Sequence, residues 1–233
     1  MKLIKSLLPI FAFFCLSGCN EENSATVSEQ LPTTATVKQE ETQTMTSSRF
    51  IEGVHYVRKK HLPRSIEPQI IKFVSYNCPA CRFFESTSKL SLDENVVIER
   101  FPVSFSREQW RDSARAYATL RSLNIHNELS DQLFQSVQDL RLPIGNEQDF
   151  VAWLSKRTTL SESTISRAYN HDKVDELMAM YKAAERRYAI TSVPSIYVNG
   201  NIQIKLKALE GETQLDKMIF LNGLIDHLLL TTG

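Results

Sequence analysis

From Phe50 onward, apolar and polar positions follow two rhythms. Gln69 to Tyr76 (QIIKFVSY) is a nearly unbroken run of β-branched and aromatic residues, which predicts a strand buried on both faces of a mixed or parallel sheet. It leads directly into Cys78-Pro79-Ala80-Cys81, and Arg82 to Leu92 then reads as a helix with Pro79 in its first turn. Val96 to Phe105 is a second strand, so a CxxC sits at the strand-to-helix junction of a strand, helix, strand unit. The middle of the chain turns helical. Trp110, Ala114, Tyr117 and Ala118 recur at helix spacing, as do Leu129, Leu133, Val137 and Leu140, then Phe150, Trp153 and Leu154, and then Val174, Leu177, Met178, Tyr181, Ala184 and Tyr188. These stripes predict core contacts. Ser195 to Val198 is a short strand, Asn199-Gly200 a hairpin turn, and Ile202 to Leu206 the returning strand. Thr213 to Leu230, with apolar residues at 215, 218, 219, 225, 228 and 229, closes the chain as an amphipathic helix. No internal repeat is present.

The N-terminus has a different character. Lys2 and Lys5 precede an apolar stretch from Leu7 to Leu16, which matches the core of an export signal and is too short to span a bilayer. Leu16-Ser17-Gly18-Cys19 resembles the lipobox of bacterial lipoproteins, which implies removal of residues 1–18 and acylation of Cys19. An ordinary signal peptide with an incidental Cys19 is the alternative. Residues 20–48 hold seven Thr, five Glu and no aromatic residue, too little apolar surface to offset the entropy of ordering. Residues 19–49 therefore read as a lipidated Cys and a disordered tether spanning about 30 Å.

Composition narrows the function classes. The 233 residues carry 27 basic and 27 acidic side chains without a long Lys/Arg cluster, which argues against nucleic-acid binding. Four cysteines in this length exclude a disulfide-stapled miniprotein. With Cys15 cleaved away and Cys19 acylated, only Cys78 and Cys81 remain as thiols.

The chemistry is expected at that pair. The thiolate is the nucleophile in disulfide exchange, and a Cys at a helix N-terminus has its thiolate stabilised by unpaired N–H groups and the helix dipole. Cys78 is thus the expected exposed, reactive thiol and Cys81, one turn in, the buried resolving one. A CxxC is also half of a zinc or iron–sulfur site, whose further ligands would have to come from His55, His61, His126, His171 or His227. None of these sits at a metal-ligand spacing, so neither a metal nor another cofactor is expected. A second element lies at Ser192-Val193-Pro194-Ser195, where a proline enters a strand. A cis bond is the usual way to turn a chain tightly there.

At these residues the chain resembles the DsbA-type periplasmic thiol:disulfide oxidoreductases. The resemblance rests on FVSYNCPACRFFE, SVPSIYVNG, and Glu52-Gly53 followed by His55-Tyr56, and it covers about residues 50 to 230. It implies an α/β protein with a thioredoxin fold formed by 50–105 and 175–233, interrupted by an inserted helical domain over 106–174. It further implies Cys78 as the attacking thiol, Cys81 as its resolving partner in a redox disulfide, and Pro79, Ala80, Val193 and Pro194 as the active-site loops. The chain departs from the family twice. Ala80 stands where the best-known members have His. A resulting rise of one pKa unit at Cys78 would correspond to about 1.4 kcal/mol, or on the order of 30 mV of oxidising power. Lys72 stands where the family usually carries a buried acid; with Glu85 and Arg100 it could form a charge cluster under the site, or a plain structural ion pair.

The expected activity is that of a monomeric, lipid-anchored periplasmic dithiol oxidase. It would introduce disulfides into exported proteins with free thiols and be reoxidised by a membrane partner of the DsbB type. A reductase or isomerase on the same fold, and a non-catalytic chaperone binding extended chains at the Pro194 loop, are the alternatives.

Overall fold

The computed structural model describes residues 49–87, 95–142 and 144–231. The signal segment, Cys19 and the tether lie outside the described residues, as does the last part of the helix expected to reach Leu92. Strand β1 (Tyr56–Arg58) precedes β2 (Gln69–Val74), helix α1 (Pro79–Thr87) and β3 (Val97–Pro102). Helices α2 (Glu108–Ser122), α3 (His126–Phe134), α4 (Glu147–Ser155), α5 (Glu162–Tyr169) and α6 (Asp172–Arg187) follow, with a π-helical turn at Gln135–Asp139 directly after α3. The chain ends with β4 (Ser195–Val198), β5 (Ile202–Ile204), a 3₁₀ turn (Leu206–Ala208) and α7 (Gln214–Thr231). This is a mixed α/β thioredoxin fold with a helical segment inserted between β3 and α6.

The sheet order is β1-β5-β4-β2-β3, with β2 parallel to β3 and every other pairing antiparallel. β2 has neighbours on both sides and layers on both faces. Ile70, Ile71, Phe73 and Val74 are all buried, which is why its sequence shows a run rather than an alternation. One layer joins Ile70, Ile196, Val198 and Ile202 to Leu221, Leu224, Ile225 and Leu228 of α7. Beside it, Val74, Tyr76 and Cys81 share a core with the helical segment through Tyr117, Leu133, Phe134, Phe150 and Leu154.

Several expectations are corrected. β3 stops at Pro102, and the chain then takes positive φ at Phe105 and Ser106. β5 stops at Ile204 rather than Leu206, where a 3₁₀ turn takes over. Asn199 and Gly200 do form the expected hairpin turn, both at positive φ; a Cβ on Gly200 would lie 2.8 Å from the Pro63 carbonyl oxygen. β1 was not foreseen, since three residues of edge strand carry no periodic signal. Leu140 is 54% exposed because the π turn ends the helical rhythm just before it. In α7 the buried stripe runs through Met218, Leu221, Leu224, Ile225 and Leu228, so Leu215 and Ile219 face away from the sheet.

Candidate active site

Ser75 to Cys78 make the turn from β2 into α1. The Cys78 amide donates to the Ser75 carbonyl at 3.0 Å, and the Asn77 amide to Ser75 Oγ at 3.2 Å. Cys78 then occupies the helix N-cap, its carbonyl accepting from the amides of Cys81 (3.0 Å) and Arg82 (3.2 Å). Pro79 has no N–H and a fixed φ suited to the first helical position. The donors facing the Cys78 sulfur are the Ala80 amide and the Cys81 amide, which the sulfur shares with the Cys78 carbonyl.

This arrangement separates the two thiols. Hydrogen bonding from the Cys81 thiol, aided by the Cys81 and Ala80 amides, outweighs burial and brings Cys78 from 9.0 down to about 6. Cys81 is pushed well above the ordinary thiol range, first because its proton is held by Cys78 and then because it is fully buried. The Ser75 amide lies 3.4 Å from the Cys81 sulfur. Both cysteines are free thiols. Cys78 is only 9% exposed, less open than expected, because loops cover it. Its sulfur lies 3.6 Å from the Val193 carbonyl oxygen, and the Val193–Pro194 peptide is cis.

Below the pair is a buried charge cluster. Lys72 on β2 is in register with Arg100 on β3, and Glu85 comes down between them from α1, four residues after Cys81. Arg100 grips Glu85 Oε2 through Nε (2.9 Å) and a terminal nitrogen (2.7 Å), while Lys72 Nζ reaches Oε1 at 3.3 Å. Burial pushes the Glu85 carboxyl up, but Lys72 and then Arg100 overcome it and hold it below the usual carboxylate range. For Lys72 burial wins over Glu85, and its ammonium is weakened. Lys72 and Arg100 both pair with Glu85, and the shorter, doubly donated contact is with Arg100.

Sequence reasoning missed the groups that reach the site from the helical segment. Gln138 Nε2 donates to the carbonyls of Tyr76 (2.7 Å) and Cys78 (3.0 Å), and Asp139 pairs with Arg82 at 3.1 and 2.5 Å. Ser113 Oγ donates to Asn77 Oδ1 at 2.7 Å. These positions lie 35 to 61 residues from Cys78, and polar residues on a helix carry no local mark of what they face. A groove of about 350 Å³ beside Asn77 is lined by Ser113, Val137, Leu142 and Ile144 among others.

Four of the five histidines have structural contacts away from the thiol pair. His55 Nδ1 accepts from the Ile51 amide (2.9 Å), leaving Nε2–H for Glu210 (3.0 Å). His171 caps α6, and His126 and His227 pack against Tyr117 and Phe50. Among the described residues no three His, Cys, Asp or Glu converge. Glu52 and Gly53 form the turn into β1, the Gly53 amide donating to the Tyr56 carbonyl at 2.7 Å.

The thioredoxin family model, described as "Thioredoxin", matches residues 67–217. The chain belongs to the thioredoxin family. It is 26% identical over 173 residues to the thiol:disulfide interchange protein DsbA of Pectobacterium carotovorum, covering 70% of this chain and 81% of that protein. Within the family, the chain is a DsbA-type thiol:disulfide oxidoreductase. To the Escherichia coli protein of the same name it is 23% identical, with the same coverage. Among solved structures, Proteus mirabilis DsbA in complex with the non-covalently bound peptide PWATCDS matches with a TM-score of 0.69, at 21% identity, over 78% of this chain and 99% of that one. Pseudomonas aeruginosa DsbA matches with a TM-score of 0.67 at 19% identity, over 77% and 93%.

Proposed function

We propose that the protein is an exported dithiol oxidase that inserts disulfides into other exported chains through Cys78 and Cys81. The carrying observation is the separation of the two thiols: a Cys78 drawn down to about 6 beside a Cys81 pushed far above the ordinary thiol range. In the oxidised enzyme a substrate thiolate attacks the Cys78 sulfur, the S–S bond breaks, and Cys81 departs and takes up a proton. The substrate's second thiolate then attacks the substrate sulfur of this mixed disulfide, expelling Cys78 as a thiolate. Two electrons have passed from the substrate dithiol to the enzyme disulfide. A low-pKa thiol leaves readily, and a high-pKa thiol is rarely the thiolate that would reverse the step. Both features favour delivery of the disulfide to the substrate.

In this reading the Val193–Pro194 loop offers backbone to an extended substrate, and the groove beside Asn77 takes a flanking side chain. Residues 50–105 with 175–233 form the catalytic thioredoxin part, and 106–174 the helical insertion. Cleavage before Cys19, its lipidation and the tether 20–48 would hold a monomer at the periplasmic face of a membrane. A quinone-linked membrane protein of the DsbB type would supply the oxidant for the reduced pair. Ala80, with no side-chain donor for the thiolate, favours a mild oxidant and keeps a reductase as the second reading.

The deciding experiment is acid trapping of the thiols in growing cells, followed by alkylation and mass measurement of the Cys78–Cys81 peptide. A mostly oxidised pair is expected; a mostly reduced pair would establish the reductase.

A further inference from the structure

Three successive turns of the inserted helical segment point at one residue of the active-site strand. Ser130 Oγ lies 2.9 Å from Tyr76 Oη, and the Phe134 ring, tilted by 36°, has its centroid 4.3 Å from that of Tyr76. Gln138, four residues further and inside the π turn, reaches past the ring to the Tyr76 carbonyl at 2.7 Å and the Cys78 carbonyl at 3.0 Å. The spacing of four keeps all three side chains on one face. Carbonyl oxygens only accept, so the amide nitrogen of Gln138, with two hydrogens, is the end that must face them.

We propose that Gln138 is a positioning residue for Cys78, fixing from the helical insertion the two carbonyls that flank Asn77 and so the direction in which the first amides of α1 point. The Cys78 carbonyl already accepts from the Cys81 and Arg82 amides, so Gln138 is not needed to satisfy it. What Gln138 adds is orientation. With both carbonyls held toward the insertion, the Ala80 amide, and the Cys81 amide shared with the Cys78 carbonyl, face the Cys78 sulfur. Asp139, the next residue of the π turn, holds Arg82 in the first turn of the same helix. π-helical turns recur at functional sites, and here the turn delivers two consecutive side chains to one helix terminus. The inference rests on Cys78 being the reacting thiol, but not on the direction of exchange.

The test is Gln138→Met in the full chain, which keeps side-chain length and removes the donors without adding charge. Loss of a neutral hydrogen bond of typical strength corresponds to about three- to tenfold in an equilibrium. The iodoacetamide alkylation midpoint of Cys78, read on its own peptide by mass spectrometry, should move up in pH. The enzyme–glutathione redox equilibrium should shift by the same factor toward the disulfide. A tenfold shift is about 30 mV for two electrons. A merely structural role would lower the stability of oxidised and reduced forms equally and leave both readings at their parental values, which would overturn the proposal. If Gln138→Met does not fold, Gln138→Asn, which retracts the same amide by one methylene, is read in the same assays. A shift in the same direction supports the proposal, and an unchanged midpoint rejects it. Failure of the oxidase reading would appear separately, as a reduced pair in cells.

Discussion

At the scale of single residues, the site is a contrast between two sulfurs three positions apart. Cys78 ends the turn from β2 and meets the first amides of α1, while Cys81 is drawn one helical turn deeper into an apolar core. Ala80 is the one position between them whose side chain is free to vary without disturbing Pro79 or the helix, being exposed. Ala80→His should therefore act on the thiolate rather than on the fold. An imidazole at this position adds a donor or partial positive charge, so Cys78 should fall further below 6 and the protein should become more oxidising. Titration of thiolate absorbance together with a glutathione redox equilibrium checks this; a less oxidising variant would show that this position does not tune the couple here. The motif itself was legible in the sequence, as was the order of the two roles. The Val193–Pro194 loop was expected at the site only through the family resemblance, because the Val193 carbonyl that covers Cys78 lies 115 positions away in the chain.

At the scale of elements, β2, β3 and α1 meet over one carboxylate. Two cations on adjacent strands share Glu85, and all three side chains are largely withdrawn from water. Removing one partner of a buried pair leaves the other uncompensated, at a cost of about 3 to 5 kcal/mol. Glu85→Gln should cost that much, since Lys72 and Arg100 then lose the carboxylate they share. Lys72→Met should cost far less, because Glu85 keeps the two shorter Arg100 contacts. The double variant should recover part of the Glu85→Gln loss. Urea unfolding of all four proteins checks the cycle; a coupling indistinguishable from zero would remove Lys72 from the cluster's energetics. Sequence reasoning reached this trio from helical spacing and strand adjacency. It could not rank the two cations, because side-chain reach across a parallel register is set only when the strands are aligned.

At the scale of the whole molecule, the thiol separation links redox state to stability. In the reduced protein Cys78 titrates near 6 when folded and near the ordinary thiol value of 9.0 when unfolded. A folded-state value below the unfolded one means the unfolded chain binds more protons between the two, so stability rises with pH across that window. The contribution is complete above about 9 and disappears as pH falls through about 6. The oxidised protein has no such thiol. The difference in stability between reduced and oxidised forms should therefore move in favour of the reduced form from pH 6 to pH 9, and thermal or urea unfolding of both forms across that range measures it. A pH-independent difference would contradict the lowered Cys78.

What the sequence determined by itself was whatever local periodicity and local chemistry encode. The unbroken apolar run made β2 a central strand, Cys-Pro-Ala-Cys placed a thiol at a helix start, Asn-Gly turned the last hairpin, and the apolar stripes marked most of the inserted helices. Tertiary structure decided what depends on distant segments converging. It laid the Val193–Pro194 loop over Cys78, brought Gln138 and Asp139 to the start of α1, and gave Arg100 the closer hold on Glu85. The physical reason is the range of the forces. Helix and strand preferences are settled within a few residues of chain, whereas the electrostatics of a thiol are set by every group packed within a few ångströms of it, and the sequence distance between those groups carries no information about that packing.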